Sequence, residues 1–503
     1  MSIVVIGNGM AGSRFVTELR DRDRETPLTV FGAERQQPYN RVLLSNVLAG
    51  VSGPDQIGLV DPAWYERNDV DARPGVEVVR IDRAARTVHA SDGSVTPYET
   101  LVIATGSTSF VPPIPGTEGG LPPGAVAFRT LDDCSAILDA AANARTAVVV
   151  GGGLLGIEAA RGLAGRGLEV TVVHLAGHLM ERQLDPGAGK VLARTLRRLG
   201  IRALLEANVT GLRVGEDVPH PTATPCGGRG GSSPHESPSV RVTGVELASG
   251  QTIEGDVVVM ACGVKPEVGL ARAAGLEIDR GIVVDETLTS VTDPRVRAIG
   301  ECSQYGDVVY GLVAPAWEQA TVLADVLTGA DGAARFTGAR QITRLKAASV
   351  ELAAMGETHH GDDDPDVEIM QFADASRGTY KKVVIRDGRV IGAILLGETS
   401  TAGTLTQLYD RSSPLPADRL SLFFPGMGGA QAADSPVRMP DAATVCHCNN
   451  VSKGQIRACW EKGARSAAEV VAGTRASTGC GGCRDALEGI VAWLDEQESA
   501  PVG

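Results

Sequence analysis

The chain has 503 residues, 43% of them hydrophobic and 21% charged, with a formal net charge of −14. That length exceeds one ordinary core and predicts three or four domains of globular character. The acidic balance excludes nucleic acid and anionic membrane as partners, because both require a basic footprint, and no apolar run is long enough for a membrane span.

Residues 3–6 begin a β-branched strand at once, without a charged leader, apolar h-region or cleavage site, so the cytoplasm is the expected location. The cysteines agree. Cys134, Cys226, Cys262, Cys302 and Cys459 are scattered like thiols in a reducing compartment, and each is expected as a small buried hydrophobe.

One pattern occurs twice. The strand at 3–6 runs into Gly7-Asn8-Gly9-Met10-Ala11-Gly12, and a strand at 147–150 runs into Gly151-Gly152-Gly153-Leu154-Leu155-Gly156. A helical stretch and a second β-branched run, at 28–31 and 169–173, follow each. Strand, glycine turn, helix and strand make a doubly wound unit whose turn offers a helix N-terminus to a pyrophosphate. Gly7, Gly9 and Gly12, then Gly151, Gly153 and Gly156, are therefore candidate contacts to two dinucleotides. Glu34 stands 27 residues after Gly7, just past the second strand, where a carboxylate binds the hydroxyls of an adenosine ribose. In the second unit that neighbourhood holds His174, which neither repels a 2′-phosphate nor pairs strongly with it, so NADH is expected with NADPH tolerated. Two further runs complete a flavin reading. Residues 101–106 form an apolar strand ending in Thr105 and Gly106, and 297–301 form another ending in Gly300 and Glu301, whose carboxylate can accept from a ribityl chain.

Between 216 and 239 a stretch rich in Pro, Gly and Ser interrupts two strand-like runs and reads as a hairpin insertion. Its Cys226, His220 and His235 lie on too loose a backbone to predict a metal site. Beyond 335, strands are expected at 367–372, 380–385 and 390–396, the last two joined by Arg386-Asp387-Gly388-Arg389, and a proline-rich linker follows. The C-terminal region is helical and small. Ser452-Lys453-Gly454-Gln455 and Ser466-Ala467-Ala468-Glu469 are capping boxes, and Leu487, Ile490, Val491 and Leu494 stripe a third helix.

Cys446-His447-Cys448 and the Cys480 to Cys483 pair, with 31 residues between them, supply four thiolates for a soft metal or a cluster. A single-residue spacer fits structural zinc poorly. A [2Fe–2S] cluster is the expected occupant, with zinc and a disulfide pair as alternatives. Gly479, Gly481 and Gly482 would let backbone N–H groups approach the sulfurs.

With these motifs, residues 1 to about 410 resemble the two-dinucleotide-domain flavoprotein reductases related to glutathione reductase. Within them the chain most resembles the FAD subunit or segment of assimilatory NAD(P)H nitrite and nitrate reductases. That closer match rests on the first glycine turn, Tyr39-Asn40-Arg41 with Leu44-Ser45, and Leu179-Met180-Glu181-Arg182-Gln183-Leu184-Asp185. The tail from 444 to 494 resembles the bacterioferritin-associated ferredoxin domain. The resemblance implies that Arg41 and Ser45 lie near the flavin, that Gly300 and Glu301 bind it, and that Glu158 faces the nicotinamide pocket, with Glu158 and Arg41 as candidate catalytic residues. Disulfide reductases of the wider family keep a cysteine pair beside the flavin. Here Cys134 is the first cysteine and no C-x-x-C precedes Cys480, so electrons are expected to leave through the cluster. Whole nitrite reductases of this kind continue into a sirohaem and [4Fe–4S] region. No further cysteine set follows Cys483, so catalysis on nitrogen is expected in a separate subunit.

The predicted architecture is α/β: two Rossmann-like dinucleotide-binding domains, a small α+β domain and a small helical [2Fe–2S] domain. FAD takes 1–115 and 261–330, NAD(P)H takes 116–260, the small α+β domain takes 335–410, and a linker at 411–442 leads to the cluster domain at 443–497. The expected activity is electron transfer from NAD(P)H through FAD and the cluster to an assimilatory nitrate reductase or a sirohaem nitrite reductase. A general ferredoxin or rubredoxin reductase, or a module docking on bacterioferritin for iron release, are the alternatives.

Overall fold

Ile3–Ile6 is buried along its whole length, as a parallel strand covered on both faces must be. In the computed structural model, which describes residues 2–216, 240–347, 350–361, 363–416, 418–424, 439–446, 451–477 and 483–499, this strand is the centre of the first sheet. The order across that sheet is Val296–Ala298, Thr100–Ile103, Ile3–Ile6, Leu28–Gly32 and Val70–Pro74, all parallel. Helices Met10–Arg22 and Val313–Thr328 pack together on it. Trp317 Nε1 donates to the Met10 carbonyl at 3.1 Å, and Arg22 pairs with Asp325 at 2.6 Å.

The second unit repeats the plan. Its parallel sheet runs Ile201–Leu204, Glu169–Val173, Thr146–Val150, Val257–Met260 and Ala125–Ala127. The antiparallel strands Val209–Glu216 and Val240–Leu247 flank the Pro-, Gly- and Ser-rich insertion, whose residues 217–239 lie outside the described residues. The fold class is thus α/β with two Rossmann-like units.

A third, antiparallel sheet has the order Ile342–Ala347, Val350–Gly356, Arg389–Leu396, Thr379–Arg386 and Glu368–Asp374. Its three later strands match the sequence expectation, and Asp387 (φ 51°) and Gly388 (φ 68°) turn the hairpin. Its first two strands and helix Ala402–Arg411 are not evident in the sequence. Arg344, Lys346 and Glu351 interrupt the strand pattern, and Gly403, Thr404 and Thr406 are weak helix formers. The expected linker at 411–442 needs a correction over 419–424. Leu422 and Phe423 are buried against the core beneath helix Ala402–Arg411, and Lys381 Nζ donates to the Phe423 carbonyl at 2.6 Å.

The other face of this sheet shares a core with the second unit, where Tyr380, Ile394 and Leu396 meet Leu184, Ala188 and Leu192. Asp185 fastens the junction. Its carboxylate caps helix Pro186–Arg198 through the Ala188 N–H at 2.8 Å, and accepts from the Tyr380 hydroxyl at 2.6 Å and from Lys382 Nζ at 2.9 Å. Lys382 also donates to the Thr358 and His360 carbonyls at 3.0 and 2.7 Å. Burial alone would raise the Asp185 pKa. The Ala188 N–H, the Tyr380 hydroxyl and the Lys382 ammonium outweigh it and hold the pKa below the ordinary carboxylate range.

The C-terminal unit has a short hairpin, Thr444–Cys446 with Val451–Ser452, and helices Lys453–Glu461, Ala467–Thr474 and Arg484–Ser499. Both expected capping boxes form, and Leu487, Ile490, Val491 and Leu494 are buried in its core.

Lys382→Met leaves the Asp185 carboxylate buried without its cation and should cost about 3 kcal/mol, seen as a lower urea midpoint. Because the folded Asp185 pKa lies below an unfolded value of about 3.9, this contribution should be complete at neutral pH and lost as pH falls through the folded value.

Candidate functional site

The two glycine turns are built alike. A Cβ on Gly7 would stand 2.2 Å from the Ala104 carbonyl oxygen, and one on Gly12 would stand 1.9 Å from the Gly7 oxygen. The same distances recur for Gly151 against Ala261 and for Gly156 against Gly151. Gly7 and Gly151 have φ of +107° and +113°, which L side chains avoid. Gly9 and Gly153 differ, with nothing within 4 Å of where a Cβ would stand. They are the N-caps of helices Met10–Arg22 and Leu154–Gly165, so each turn leaves an open approach to unpaired N–H groups. Two dinucleotide phosphates fit this arrangement.

Glu34 follows the strand Leu28–Gly32. One carboxylate oxygen accepts from the Tyr39 hydroxyl at 2.5 Å and the other pairs with Arg41. Arg41 also donates to the Arg129 carbonyl at 3.0 Å. Ser45 lies half-buried in the short helix Leu44–Leu48 directly after this cluster. Across the site Gly300, with φ of +77°, opens a short 3-10 turn and gives its N–H to Gln319 Oε1 at 2.7 Å. Glu301 accepts from the Ser107 hydroxyl at 2.5 Å and pairs with Arg129. Thr105 donates to the Glu267 carbonyl at 2.8 Å, and the Gly106 carbonyl accepts from the Glu267 N–H at 2.9 Å. Glu34, Arg41, Arg129 and Glu301 thus form one connected polar run. Arg129 is the member that sequence reasoning missed, because its partners are 22, 88 and 172 residues away and no local motif marks it.

In the second unit His174 is buried, with its ring committed to the protein. Nδ1 accepts from the Gly152 N–H at 3.0 Å and Nε2 lies 3.0 Å from Glu181. Glu158, on the first turns of helix Leu154–Gly165, keeps some accessible surface, but its carboxyl is enclosed by protein atoms. Burial pushes its pKa up to about 8.

The cysteines divide by environment. Burial pushes the Cys134 thiol up to about 12 and Cys262 to about 11, and it raises Cys302 as well. Cys134 sits under the Arg41–Leu43 turn, its thiol 3.6 Å from the Leu44 carbonyl, yet burial keeps it a thiol and a poor redox partner for that segment. Cys446 and Cys483 belong to the buried core of the C-terminal unit. Cys448 and Cys480 lie outside the described residues. Two soft donors brought into one small core, from the two ends of the cysteine pattern, fit an iron–sulfur cluster.

Residues 1–320 match the pyridine nucleotide-disulphide oxidoreductase family, and the chain belongs to it. It is an FAD-dependent oxidoreductase of NAD(P)H. Residues 342–412 match the rubredoxin NAD+ reductase C-terminal domain, and 444–493 match the BFD-like [2Fe-2S] binding domain, which makes the third cofactor a [2Fe–2S] cluster. The chain is 36% identical over 492 residues to a nitrite reductase [NAD(P)H] of Bacillus subtilis, covering 97% of this chain and 57% of that one. It is 31% identical over 498 residues to the assimilatory nitrate reductase electron transfer subunit of the same organism, covering 99% and 60%. The chain therefore spans little more than half the length of these relatives. Among solved structures, a ferredoxin reductase from Rhodopseudomonas palustris superposes with a TM-score of 0.70 at 24% identity, over 82% of this chain and 95% of that one, a likeness of fold.

The raised Glu158 pKa carries a stability consequence. The folded state holds a proton that the unfolded state releases near pH 4.3, so wild-type stability should fall between about pH 4.3 and 8 and level off above. Glu158→Gln does not titrate, so its melting temperature relative to wild type should climb across that window and then stay flat. Parallel melting curves from pH 5 to 9 would show the carboxyl titrating in the ordinary range.

Proposed function

We propose that this chain carries electrons from NAD(P)H through FAD and its [2Fe–2S] cluster to the catalytic centre of an assimilatory nitrate or nitrite reductase. In this reading FAD occupies the units at 1–115 and 261–330, NAD(P)H the unit at 116–260, and the cluster the unit at 443–497. When bound, FAD would supply a hydride acceptor able to release electrons singly, and a [2Fe–2S] cluster would supply a one-electron carrier to receive them. The protein's own work is to bind, orient and shield. The open N-termini at Gly9 and Gly153 hold phosphates, and Glu34 accepts from a ribose. Arg41 supplies positive charge at the flavin, and Glu158 offers an uncharged carboxyl beside the nicotinamide.

The observation that carries the relay is Arg475. It follows helix Ala467–Thr474 in the left-handed conformation (φ 61°), five residues before Cys480. Its guanidinium donates to the Leu59 carbonyl at 2.6 Å and to the Gly58 carbonyl. Those carbonyls belong to a segment tied to 38–40 by Leu59 N–H to the Pro38 carbonyl (2.7 Å) and Asn40 N–H to the Ile57 carbonyl (2.8 Å). The cluster unit is thus fastened to the backbone immediately behind Tyr39 and Arg41.

The acceptor is proposed from the relatives, which are named for nitrite reduction and for electron transfer to assimilatory nitrate reductase. Nitrate to nitrite takes two electrons, as many as one hydride delivers. The match of 342–412 to a rubredoxin reductase domain favours a general reductase of small redox proteins as second reading. Among the described residues no helix is long and apolar enough to cross a membrane. The cytoplasm, where NAD(P)H is supplied, is the proposed place of action.

Mixing the protein with NADH and a purified catalytic nitrate or nitrite reductase should yield nitrite formation or loss. Rapid reduction of rubredoxin, ferredoxin or bacterioferritin with neither nitrogen reaction would overturn the acceptor and leave the relay. Arg475→Ala should leave NADH-driven ferricyanide reduction in place while slowing reduction of the cluster severalfold in stopped-flow spectra. Hydrogen exchange at the amides of 57–59 should rise in the same variant. Wild-type cluster kinetics in a variant with loosened amides would show that this contact does not serve the transfer.

A further inference from the structure

The end of the second unit's second strand lacks the acid that would read a nicotinamide cofactor's adenosine ribose, since His174 stands there. Its ring is not free to take that role. With Nδ1 accepting from the Gly152 N–H, its proton sits on Nε2 and is directed to the Glu181 carboxylate at 3.0 Å. The ring packs directly on the glycine turn, where a Cβ on Gly152 would lie 2.7 Å from His174 Cγ.

Glu181 reaches this place by a strained route. Met180, fully buried, has φ of +53°, and its N–H donates to the Gly152 carbonyl at 2.9 Å. A left-handed methionine is strained and persists only where its surroundings impose it. Here it folds the loop back onto the glycine turn, so that the next residue presents its carboxylate there. The Glu181 side chain keeps 37% of its surface exposed while His174 keeps 9%, so the acid faces outward and the histidine braces it from behind. Leu175, 68% exposed immediately after the strand, offers an apolar surface of the kind an adenine covers.

We infer that Glu181, held by His174, accepts a hydrogen bond from the ribose 2′-hydroxyl of NADH and repels the 2′-phosphate of NADPH. The acid found on the strand end in other doubly wound units is supplied here from the following loop. This rests on the proposed use of the second unit for the nicotinamide cofactor. Arg182, exposed beside Glu181, is the rival, since a guanidinium reaching the same position would favour the phosphate.

The FAD-loaded full chain is tested for reduction by NADH and by NADPH. Binding of 5′-AMP and adenosine 2′,5′-bisphosphate is measured separately by calorimetry, a readout independent of turnover. Wild type should favour NADH in kcat/KM and bind 5′-AMP the more tightly. Glu181→Gln should narrow both ratios by about tenfold, with the catalytic change carried mainly by KM. His174→Leu, which has no donor for Glu181 and so loses the brace but keeps the acid, should narrow them less. A wild-type preference for NADPH, or ratios unchanged in Glu181→Gln, would overturn the inference while leaving the function intact. Reduction by neither nucleotide would overturn the function reading and this inference with it.

Discussion

Both dinucleotide units depend on one close approach of backbone to backbone. The Gly7 Cα lies so near the Ala104 carbonyl, and the Gly12 Cα so near the Gly7 carbonyl, that no side chain fits at either place. This contact brings the helix N-terminus against the sheet edge, with its unpaired N–H groups facing outward. Repetition at Gly151, Gly156 and Ala261 fixes the second helix in the same way. Glu34, Arg129 and Glu301 each follow the end of a strand in the two sheets that these turns align.

That constraint explains what was legible in the sequence. A turn that forbids Cβ atoms leaves glycines at set spacing, and a doubly covered strand leaves an unbroken β-branched run, so Ile3–Ile6 and Thr146–Val150 with their turns were readable. Capping boxes at Ser452 and Ser466 were readable for the same reason, since both partners lie within one helical turn. Arg129, Asp185 with Lys382, and Arg475 left no such trace. Each meets a partner far along the chain, and a single arginine or lysine in a sequence carries no sign of what it will face. The strands Ile342–Ala347 and Val350–Gly356 were missed because charged residues break their pattern, although the sheet buries Leu345 and Leu352. His174 was found as a residue of the right neighbourhood, but the direction of its ring is decided by Gly152 and Glu181, which only the fold brings beside it.

The buried ionisable groups separate into two kinds, and the difference marks what each is for. Asp185 meets a helix N-terminus, a hydroxyl and an ammonium, and its pKa falls despite burial. Such a carboxylate is an anchor, ionised at any pH where the protein works. For Glu158 burial is the cause of a rise to about 8, so at neutral pH it holds its proton. In the proposed function, where Glu158 would lie beside the nicotinamide, a neutral carboxyl would set no field against an uncharged dihydronicotinamide. Its ionisation would instead favour the positively charged oxidised ring.

The cysteines follow a parallel division. Cys134 and Cys302 are enclosed where a thiolate is unfavourable, although Cys134 touches the segment beside Arg41. Cys446 and Cys483 occupy a small core whose helices alone bury little, so the two ends of the cysteine pattern meet inside one unit. The same unit reaches the first unit through Arg475, whose guanidinium donates to the Leu59 and Gly58 carbonyls. The guanidinium that holds Gly58 and Leu59 sits at the end of helix Ala467–Thr474, whose Val470 lies in the same core as Cys446 and Cys483, so a disturbance of that core should be felt at the contact with the first unit and the reverse.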